Sequence, residues 1–185
     1  MNIVEEKRTM RRAAKTARAD AASAEKAAQA VRNALKFFGP SNGRCLAAYL
    51  PIGSELDPTV ALEVWCKGAP TALPIAERNK ALTFCRWSPG DPTRNGAFNV
   101  PVPEIFDAIR PDILIVPLLA FDARGYRLGY GGGHYDRTLH AMRGQGGVLA
   151  VGIAFAAQEV AHVPTEQTDQ ALDAIVTENG VFEAP

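Results

Sequence analysis

Apolar runs of four to eight residues recur along the chain and alternate with segments whose composition suits helices. A run that is apolar throughout is typical of a strand buried on both faces, as in a parallel sheet covered by helices. The runs predict strands at 45–50, 112–117 and 148–155, with shorter or half-buried strands at 72–75, 82–87 and 174–177. The pattern therefore predicts an α/β fold, a three-layer αβα arrangement with a mainly parallel, partly mixed central sheet.

An N-terminal helical segment precedes the first strand. Helices are predicted over 4–19 and 24–38, because these stretches are rich in Ala, Lys, Arg, Glu and Gln and lack Gly and Pro. Ser23, in the break between them, is a candidate N-cap for the second helix.

Two further helices are predicted among the strands. One begins with Asp57 as its cap and ends at Lys67, and the other covers 134–142. Residues 88–104 are rich in Pro and Gly and are predicted to be irregular. Because no interdomain linker is visible, 1–185 is predicted to be a single domain.

Composition narrows the class of protein. Apolar residues make up 47% of the chain and charged residues 22%, as in globular proteins rather than disordered ones. No apolar run approaches the about 18 residues of a membrane span, and the charged N-terminus lacks the pattern of a secretory signal. Cys45, Cys66 and Cys85 are isolated in the sequence, which favours reduced thiols. We therefore expect a cytoplasmic protein with no membrane partner.

Charge is distributed unevenly although the formal net charge is zero. Residues 1–44 carry ten Lys and Arg against four Asp and Glu, a net +6, which leaves −6 for 45–185. On the first helix, the spacing of four, four and three residues puts its basic side chains on one face: Lys7, Arg11, Lys15 and Arg18. Such a face is usually solvated, but it could also meet nucleic acid or a polyphosphate.

The stretch 121–137, FDARGYRLGYGGGHYDR, follows a predicted buried strand and leads into a predicted helix. It has neither the GxxxxGK[ST] of a P-loop nor the GxGxxG of a dinucleotide fold. Its glycines still permit positive φ and close approach of backbone N–H groups to an anion, and Arg127 and Arg137 add positive charge. The sequence therefore predicts a phosphate cradle, with a ligand-free glycine-rich hairpin as the alternative.

Several side chains outside the glycines are candidates for chemistry. Asp136, just beyond the loop, is placed to hold Mg²⁺ or only to start a helix, and Asp169 is a second candidate ligand. Glu55 follows the first strand, and His134 could donate to a phosphate or pack on the helix. Phe98 is either a stacking platform or a loop anchor.

At these residues the sequence resembles the 5-formyltetrahydrofolate cyclo-ligase family, also called methenyltetrahydrofolate synthetase. The resemblance is strongest in the run 117–137 and extends over nearly the whole chain. It includes the basic motif 7–11, the strand and acidic loop 49–55, and the C-terminal segment 163–173. Two positions differ from the family's usual pattern, since His134 replaces a Tyr and Val102 stands where many members have Glu before Pro.

The resemblance implies roles for individual residues. ATP-binding residues would be Lys7, Arg8, Arg11, Arg127, Leu128, Gly129, Tyr130, Gly131, Gly132, Gly133, His134 and Tyr135. Substrate-binding residues would be Leu50, Glu55, Phe98, Tyr130, Gly131, Gly132, Gly133 and His134. Asp136 and Asp169 would hold Mg²⁺, and the catalytic candidates are Arg127 and Tyr130.

The family closes 5-formyltetrahydrofolate to 5,10-methenyltetrahydrofolate with ATP and Mg²⁺, through a phosphorylated formyl group. The resemblance thus implies ATP as co-substrate, Mg²⁺ as cofactor and a folate as substrate, and we expect a monomer without nucleic-acid partners. Lys7 and Arg11 would then lie over the triphosphate, while Lys15 and Arg18 stay in solvent. Two alternatives remain, an enzyme of this fold with another substrate, and a noncatalytic module that binds nucleotide or nucleic acid.

Overall fold

Residues 2–185, which a computed structural model describes, form four α-helices and eleven β-strands. The helices are α1 (Ile3–Ala21), α2 (Ala24–Phe38), α3 (Thr59–Trp65) and α4 (His134–Arg143). The strands are β1 (Leu46–Ala47), β2 (Thr71–Ile75), β3 (Thr83–Arg86), β4 (Thr93–Asn95), β5 (Pro101–Pro103), β6 (Ile113–Val116), β7 (Ala120–Phe121), β8 (Arg127–Leu128), β9 (Leu149–Ile153), β10 (Ala174–Thr177) and β11 (Gly180–Glu183).

Seven strands form the central sheet, in the order β11-β10-β9-β6-β1-β2-β3. The neighbours from β10 to β2 run parallel, whereas β11 and β3 pair antiparallel at the two edges. Helices α2 and α3 pack on one face and α4 on the other. The predicted α/β class, with a mainly parallel and partly mixed sheet, is therefore confirmed.

Alternate residues of each central strand face opposite layers. In β6, Ile113 and Ile115 pack with α2 and α3, while Leu114 and Val116 pack with α4. All four are fully buried, so the strand must be apolar on both faces. This is the physical origin of the continuous apolar runs in the sequence.

Several predicted boundaries were wrong. The strand predicted at 45–50 is limited to β1, and Tyr49 and Leu50 lie beyond it. Helix α3 begins two residues after Asp57, although that carboxylate does accept the N–H of Thr59 at 2.9 Å. The predicted cap Ser23 is confirmed, since its side chain accepts from the N–H of Lys26.

Three small strand pairings were not predicted. The stretch 88–104 contains the hairpin β4–β5, and β7 pairs with β8 just before the glycines. Strand β10 was predicted to be the last, but β11 follows it along the edge. Strands β4 and β11 are largely exposed, so they lack the apolar runs on which the prediction relied.

Asp122 organises the turn between β7 and β8. Its fully buried carboxylate accepts the backbone N–H groups of Arg124, Tyr126 and Val163, and it pairs with the Arg124 guanidinium at 2.6 Å. Gly125 completes the turn at φ 79°, and its carbonyl accepts from the N–H of Leu172. These buried hydrogen bonds therefore fix the start of the glycine-rich stretch 121–137.

No helix in the described part of the chain has the length and apolar character needed to cross a membrane. The three cysteines are free thiols, as predicted.

Replacing Gly125 with alanine should destabilise the protein more than the same change at Gly146. Both glycines have positive φ, 79° and 99°, where an alanine costs about 1–2 kcal/mol. A Cβ at Gly125 would also lie 2.8 Å from the Leu172 carbonyl oxygen, whereas one at Gly146 meets no atom within 4 Å. Overpacking of this kind adds about 1–3 kcal/mol. Urea unfolding measures the difference, and equal losses for the two variants would contradict it.

Asp122→Asn should lower the free energy of unfolding at pH 7 by about 2 kcal/mol or more. Burial raises the pKa of Asp122, but hydrogen bonds from Arg124 and Val163 outweigh it, so the pKa lies below its usual 3.8. A depressed pKa stabilises the fold above pH 3.8, and this contribution is lost as the pH falls through the folded-state value.

The difference in free energy of unfolding between wild type and Asp122→Asn, measured with urea, should therefore become smaller between pH 7 and pH 3. Asp107→Asn is the control, because its carboxylate pairs with Arg86 at the exposed surface. A difference for Asp122→Asn that stays constant with pH would overturn the interpretation.

Candidate active site

A cleft of about 1220 Å³ opens at the carboxyl edge of the sheet. Its floor includes residues that follow β1, β2 and β6, namely Tyr49, Leu50, Ala76 and Pro117. Ligands of open parallel sheets bind at this edge, because the loops that follow the strands meet there.

Strand β9 runs parallel to β6 and ends at the same edge of the sheet, but the loop after Phe155 does not line the cleft. Its residue Gln158 is buried and donates to the carbonyl oxygens of Leu118 and Leu119, at 2.9 and 3.1 Å. The loop therefore supports the start of the glycine-rich segment from beneath.

The glycines from Gly129 to Gly133 form one wall of the cleft and end at the start of α4. Gly131 and Gly133 have φ of 97° and 65°, which favour glycine. In the described structure no side chain caps α4, so its first N–H groups remain available to an anion. The positive end of the helix dipole adds to this preference for negative charge.

Helix α1 covers this wall with its basic face. Arg11 Nε donates to the Gly129 carbonyl at 2.9 Å, and a Cβ at Gly131 would lie only 3.3 Å from Arg11 Nη2. Lys15 Nζ lies 5.6 Å from the centre of the Tyr130 ring. Arg18 is 4% exposed, so the prediction that it stays in solvent was wrong.

Lys7 lies at the far end of the same face, where it meets two carboxylates. Its Nζ is 2.6 Å from Asp169 Oδ2 and 2.8 Å from Glu166 Oε2. Burial lowers the pKa of Lys7, but the two carboxylates more than reverse this, so the pKa is raised and the ammonium stays charged. An ammonium has three donors, which leaves one beyond these two contacts.

Arg127 connects three segments and is itself buried, with a side chain that is 5% exposed. Its Nη2 donates to Asp136 Oδ1 at 2.9 Å and its Nη1 to the Gln170 carbonyl at 2.7 Å. The N–H of Gln170 also donates to Asp136 Oδ1, at 3.0 Å. Arg127 therefore orients Asp136, and its predicted catalytic role stays a prediction.

The two predicted metal ligands, Asp136 and Asp169, both line the cleft. Among the described residues, no group of three or more His, Cys, Asp and Glu side chains could hold a metal alone. Oδ1 of Asp136 and Oδ2 of Asp169 accept the hydrogen bonds in the contacts above. Oδ2 of Asp136 and Oδ1 of Asp169 take no part in them. One or two carboxylates completed by phosphate and water oxygens are the usual set for Mg²⁺.

The opposite half of the cleft is apolar, and Phe98 projects into it. Phe98 is 61% exposed and has φ 60°, a strained value for a bulky residue. Its ring meets the His134 ring edge-on, with 5.7 Å between the centres. Val102 is buried beneath this loop, where a Cβ at Gly96 would lie 2.6 Å from it. Leu50, Leu82 and Val100 also belong to the apolar lining.

His134 is held in one tautomer. Its Nδ1 lies 3.0 Å from the Lys80 carbonyl oxygen, which can only accept, so Nδ1 carries the proton. In the neutral ring Nε2 is then an acceptor at the cleft. In this tautomer the ring offers the cleft an acceptor rather than the predicted donor to a phosphate, and it packs against Phe98 rather than on the helix.

Glu55 and Tyr130 lie between the two halves. The Glu55 side chain is 4% exposed, and its Oε2 accepts the N–H of Ile52 at 2.8 Å. Arg18 Nη2 donates to the Tyr130 hydroxyl at 2.9 Å. Burial raises the pKa of Tyr130, and the bond from Arg18 opposes this only in part, so the phenol remains neutral at pH 7.

The cleft brings together every predicted site residue except Arg8. Arg8 lies on the outer face of α1, where its 68% exposed side chain pairs with Glu5. A contact between Arg8 and a bound nucleotide gains no support from this placement. Glu166 and Arg18 were not predicted as residues that contact the site's side chains. The signal for Arg18 was present in its helical spacing, since it shares a face with Lys7 and Arg11.

Comparison with known proteins agrees with the resemblance in sequence. Residues 3–178 match the 5-formyltetrahydrofolate cyclo-ligase family. The 5-formyltetrahydrofolate cyclo-ligase of Haemophilus influenzae is 31% identical over 146 residues, which cover 75% of this chain and 78% of that protein. The enzyme of the same name from Escherichia coli K12 is 34% identical over 146 residues, 75% of this chain and 80% of that one.

Solved structures give the same result. The NMR structure of 5,10-methenyltetrahydrofolate synthetase from Aquifex aeolicus superposes with a TM-score of 0.79 and 30% identity, covering 96% of this chain and 92% of that one. A Mycoplasma pneumoniae protein of that name, at 20% identity, shares the fold with a TM-score of 0.70 over 93% of this chain and 98% of that one. This chain belongs to the 5-formyltetrahydrofolate cyclo-ligase family.

Proposed function

We propose that the protein uses ATP and Mg²⁺ to close 5-formyltetrahydrofolate to 5,10-methenyltetrahydrofolate, with release of ADP and phosphate. The observation that carries the proposal is the juxtaposition in one cleft of a cationic glycine-rich wall and an apolar half that contains Phe98. The first half suits a triphosphate and the second a flat pterin ring.

On the phosphate side, Arg11, the third donor of Lys7 and the free N–H groups at the start of α4 would neutralise and orient the triphosphate. Asp136 and Asp169 would hold Mg²⁺, which when bound neutralises charge on the phosphate oxygens. Arg127 would keep Asp136 in place through their 2.9 Å contact. Phosphoryl transfer requires mainly such positioning and charge neutralisation, so no nucleophilic side chain is needed.

On the folate side, Phe98 and the His134 ring would pack on the pterin, and Glu55 and Tyr130 would contact its polar edge. The formyl oxygen would then attack the γ-phosphorus, and the bond from that phosphorus to ADP would break. N10 would add to the activated formyl carbon, lose its proton, and expel phosphate. The protein's part is to hold the formyl oxygen in line with the γ-phosphate and N10 near the carbon.

The basic face of α1 argues against the nucleic-acid alternative. Lys7 and Arg11 line the cleft and Arg18 is buried behind it, and all three have partners there, so they do not form an exposed basic surface. An enzyme of this fold with another substrate is the second candidate, favoured by His134 and Val102 at the apolar half. A single-domain monomer and a cytoplasmic location stay predictions.

The test is a spectroscopic assay with purified protein, Mg-ATP and 5-formyltetrahydrofolate. We expect the near-ultraviolet absorbance of methenyltetrahydrofolate to rise only when all three are present. Retained binding of Mg-ATP without any absorbance change would contradict the proposed substrate and favour the second candidate.

Asp136→Asn should reduce turnover by roughly 100-fold or more, because it removes the charge that faces the metal. The asparagine oxygen can still accept from Arg127 and Gln170, so the local fold should persist. Two measurements check this, the dependence of rate on Mg²⁺ concentration and the shift in melting temperature caused by Mg-ADP. The variant should lose most of that thermal shift.

Arg127→Ala should also lose turnover, since it releases Asp136.

Asp107→Asn removes the same charge at the exposed surface. This control should keep turnover and the Mg-ADP thermal shift near those of wild type. Normal turnover and a normal Mg-ADP shift in Asp136→Asn would show that this carboxylate does not hold the metal.

A further inference from the structure

Arg18 meets three residues from two loops of the cleft while it is itself buried. Its Nε donates to Ser54 Oγ at 3.2 Å, its Nη2 donates to the Tyr130 hydroxyl at 2.9 Å, and its Nη1 lies 3.6 Å from Glu55 Oε1. The guanidinium carbon is also 5.8 Å from the centre of the Tyr130 ring. Arg18 thus joins α1 to the loop after β1 and to the glycine-rich wall.

Such a buried ion pair is weak evidence for a role in stability. Removing two charges from water costs free energy that their attraction often fails to recover, and apolar replacements are frequently as stable. Moreover, Arg18 Nη1 is buried and has no hydrogen-bond partner. An unsatisfied buried donor costs about 1–3 kcal/mol, so stability does not explain this arrangement.

The neighbours of Arg18 point instead to the ligand. Glu55 and Tyr130 line the cleft, whereas Arg18 lies behind them. The Glu55 carboxylate is fixed by the Ile52 N–H on one oxygen and faces Arg18 with the other. Any effect of Arg18 on a bound substrate is therefore exerted through Glu55 and Tyr130.

We propose that Arg18 is a positioning residue that sets Glu55 and Tyr130 for the folate, an inference that rests on the proposed function. Arg18 follows Lys7 by eleven positions, about 16 Å along the same face of α1. One rigid helix thus serves the phosphate half at its N-terminal end and the folate half at its C-terminal end. Loss of Arg18 weakens folate binding and leaves nucleotide binding unchanged.

The experiment compares Arg18→Gln with Arg12→Gln, which removes the same charge from an exposed position of α1. KM is measured separately for 5-formyltetrahydrofolate and for ATP, together with kcat and with the folate Kd by titration calorimetry. Arg18→Gln should raise the folate KM and Kd roughly 10-fold, the effect of losing one charged hydrogen bond. Its ATP KM should stay within about twofold of wild type. Arg12→Gln should change neither the folate constants nor the ATP KM.

A double-mutant cycle with Glu55→Gln separates positioning from simple loss of structure. The double variant carries no uncompensated buried charge, so it also provides a folded sample if Arg18→Gln alone unfolds. If Arg18 acts through Glu55, adding Arg18→Gln to Glu55→Gln changes the folate Kd by less than about threefold. The inference is overturned if the Kd factors of the single variants multiply fully both in this cycle and in the matching cycle with Tyr130→Phe, or if the folate Kd is unchanged, or if both KM values rise equally.

A failure of the proposed function can be told apart from a failure of the Arg18 inference by the behaviour of wild type. Wild type would then produce no methenyltetrahydrofolate. If wild type still binds the folate, the calorimetric comparison alone decides the role of Arg18, and if it does not bind the folate, both the function and the inference fall.

Discussion

The burial of a basic helix face against the acceptors of a cleft is the interaction on which the site depends. Lys7, Arg11 and Arg18 occur on one side of α1, and each meets a different segment, respectively the loop 166–169, the Gly129 carbonyl and the Glu55–Tyr130 pair. Buried cations require such partners, since an unpaired one is far too costly to remove from water. The partners therefore position α1, and α1 in turn positions the partners.

The sheet supplies the frame for this arrangement. Parallel strands end at one edge, so the chain after β1 and β6 must enter the same cleft. Gln158, which donates to the Leu118 and Leu119 carbonyls, and Asp122, at the turn between β7 and β8, fix the segment that leads into the glycine-rich wall through buried hydrogen bonds. A rigid cradle suits phosphoryl transfer, in which the protein mainly fixes geometry and charge rather than reacting covalently.

Individual elements show how much of the fold the sequence predicts. The buried strand β6 and the helices α2 and α4 were predictable, because complete burial or helical periodicity leaves a pattern in neighbouring residues. Hairpin β4–β5 and strand β11 were missed, since exposed strands at an edge have no apolar run to reveal them. Glu166 was missed because its contact with Lys7 spans 159 residues of chain.

The sequence by itself determined the fold class, the glycine-rich wall and the candidate carboxylates, because these depend on local pattern and on a run of residues adjacent in the chain. Only the tertiary structure decided which charges are buried together. It buried Arg18 and left Arg8 exposed. Helical spacing puts the two arginines on different faces of α1, but it does not say which face is buried. The physical reason is that a charged side chain is buried only where folding brings it partners from elsewhere in the chain, here Ser54, Glu55 and Tyr130.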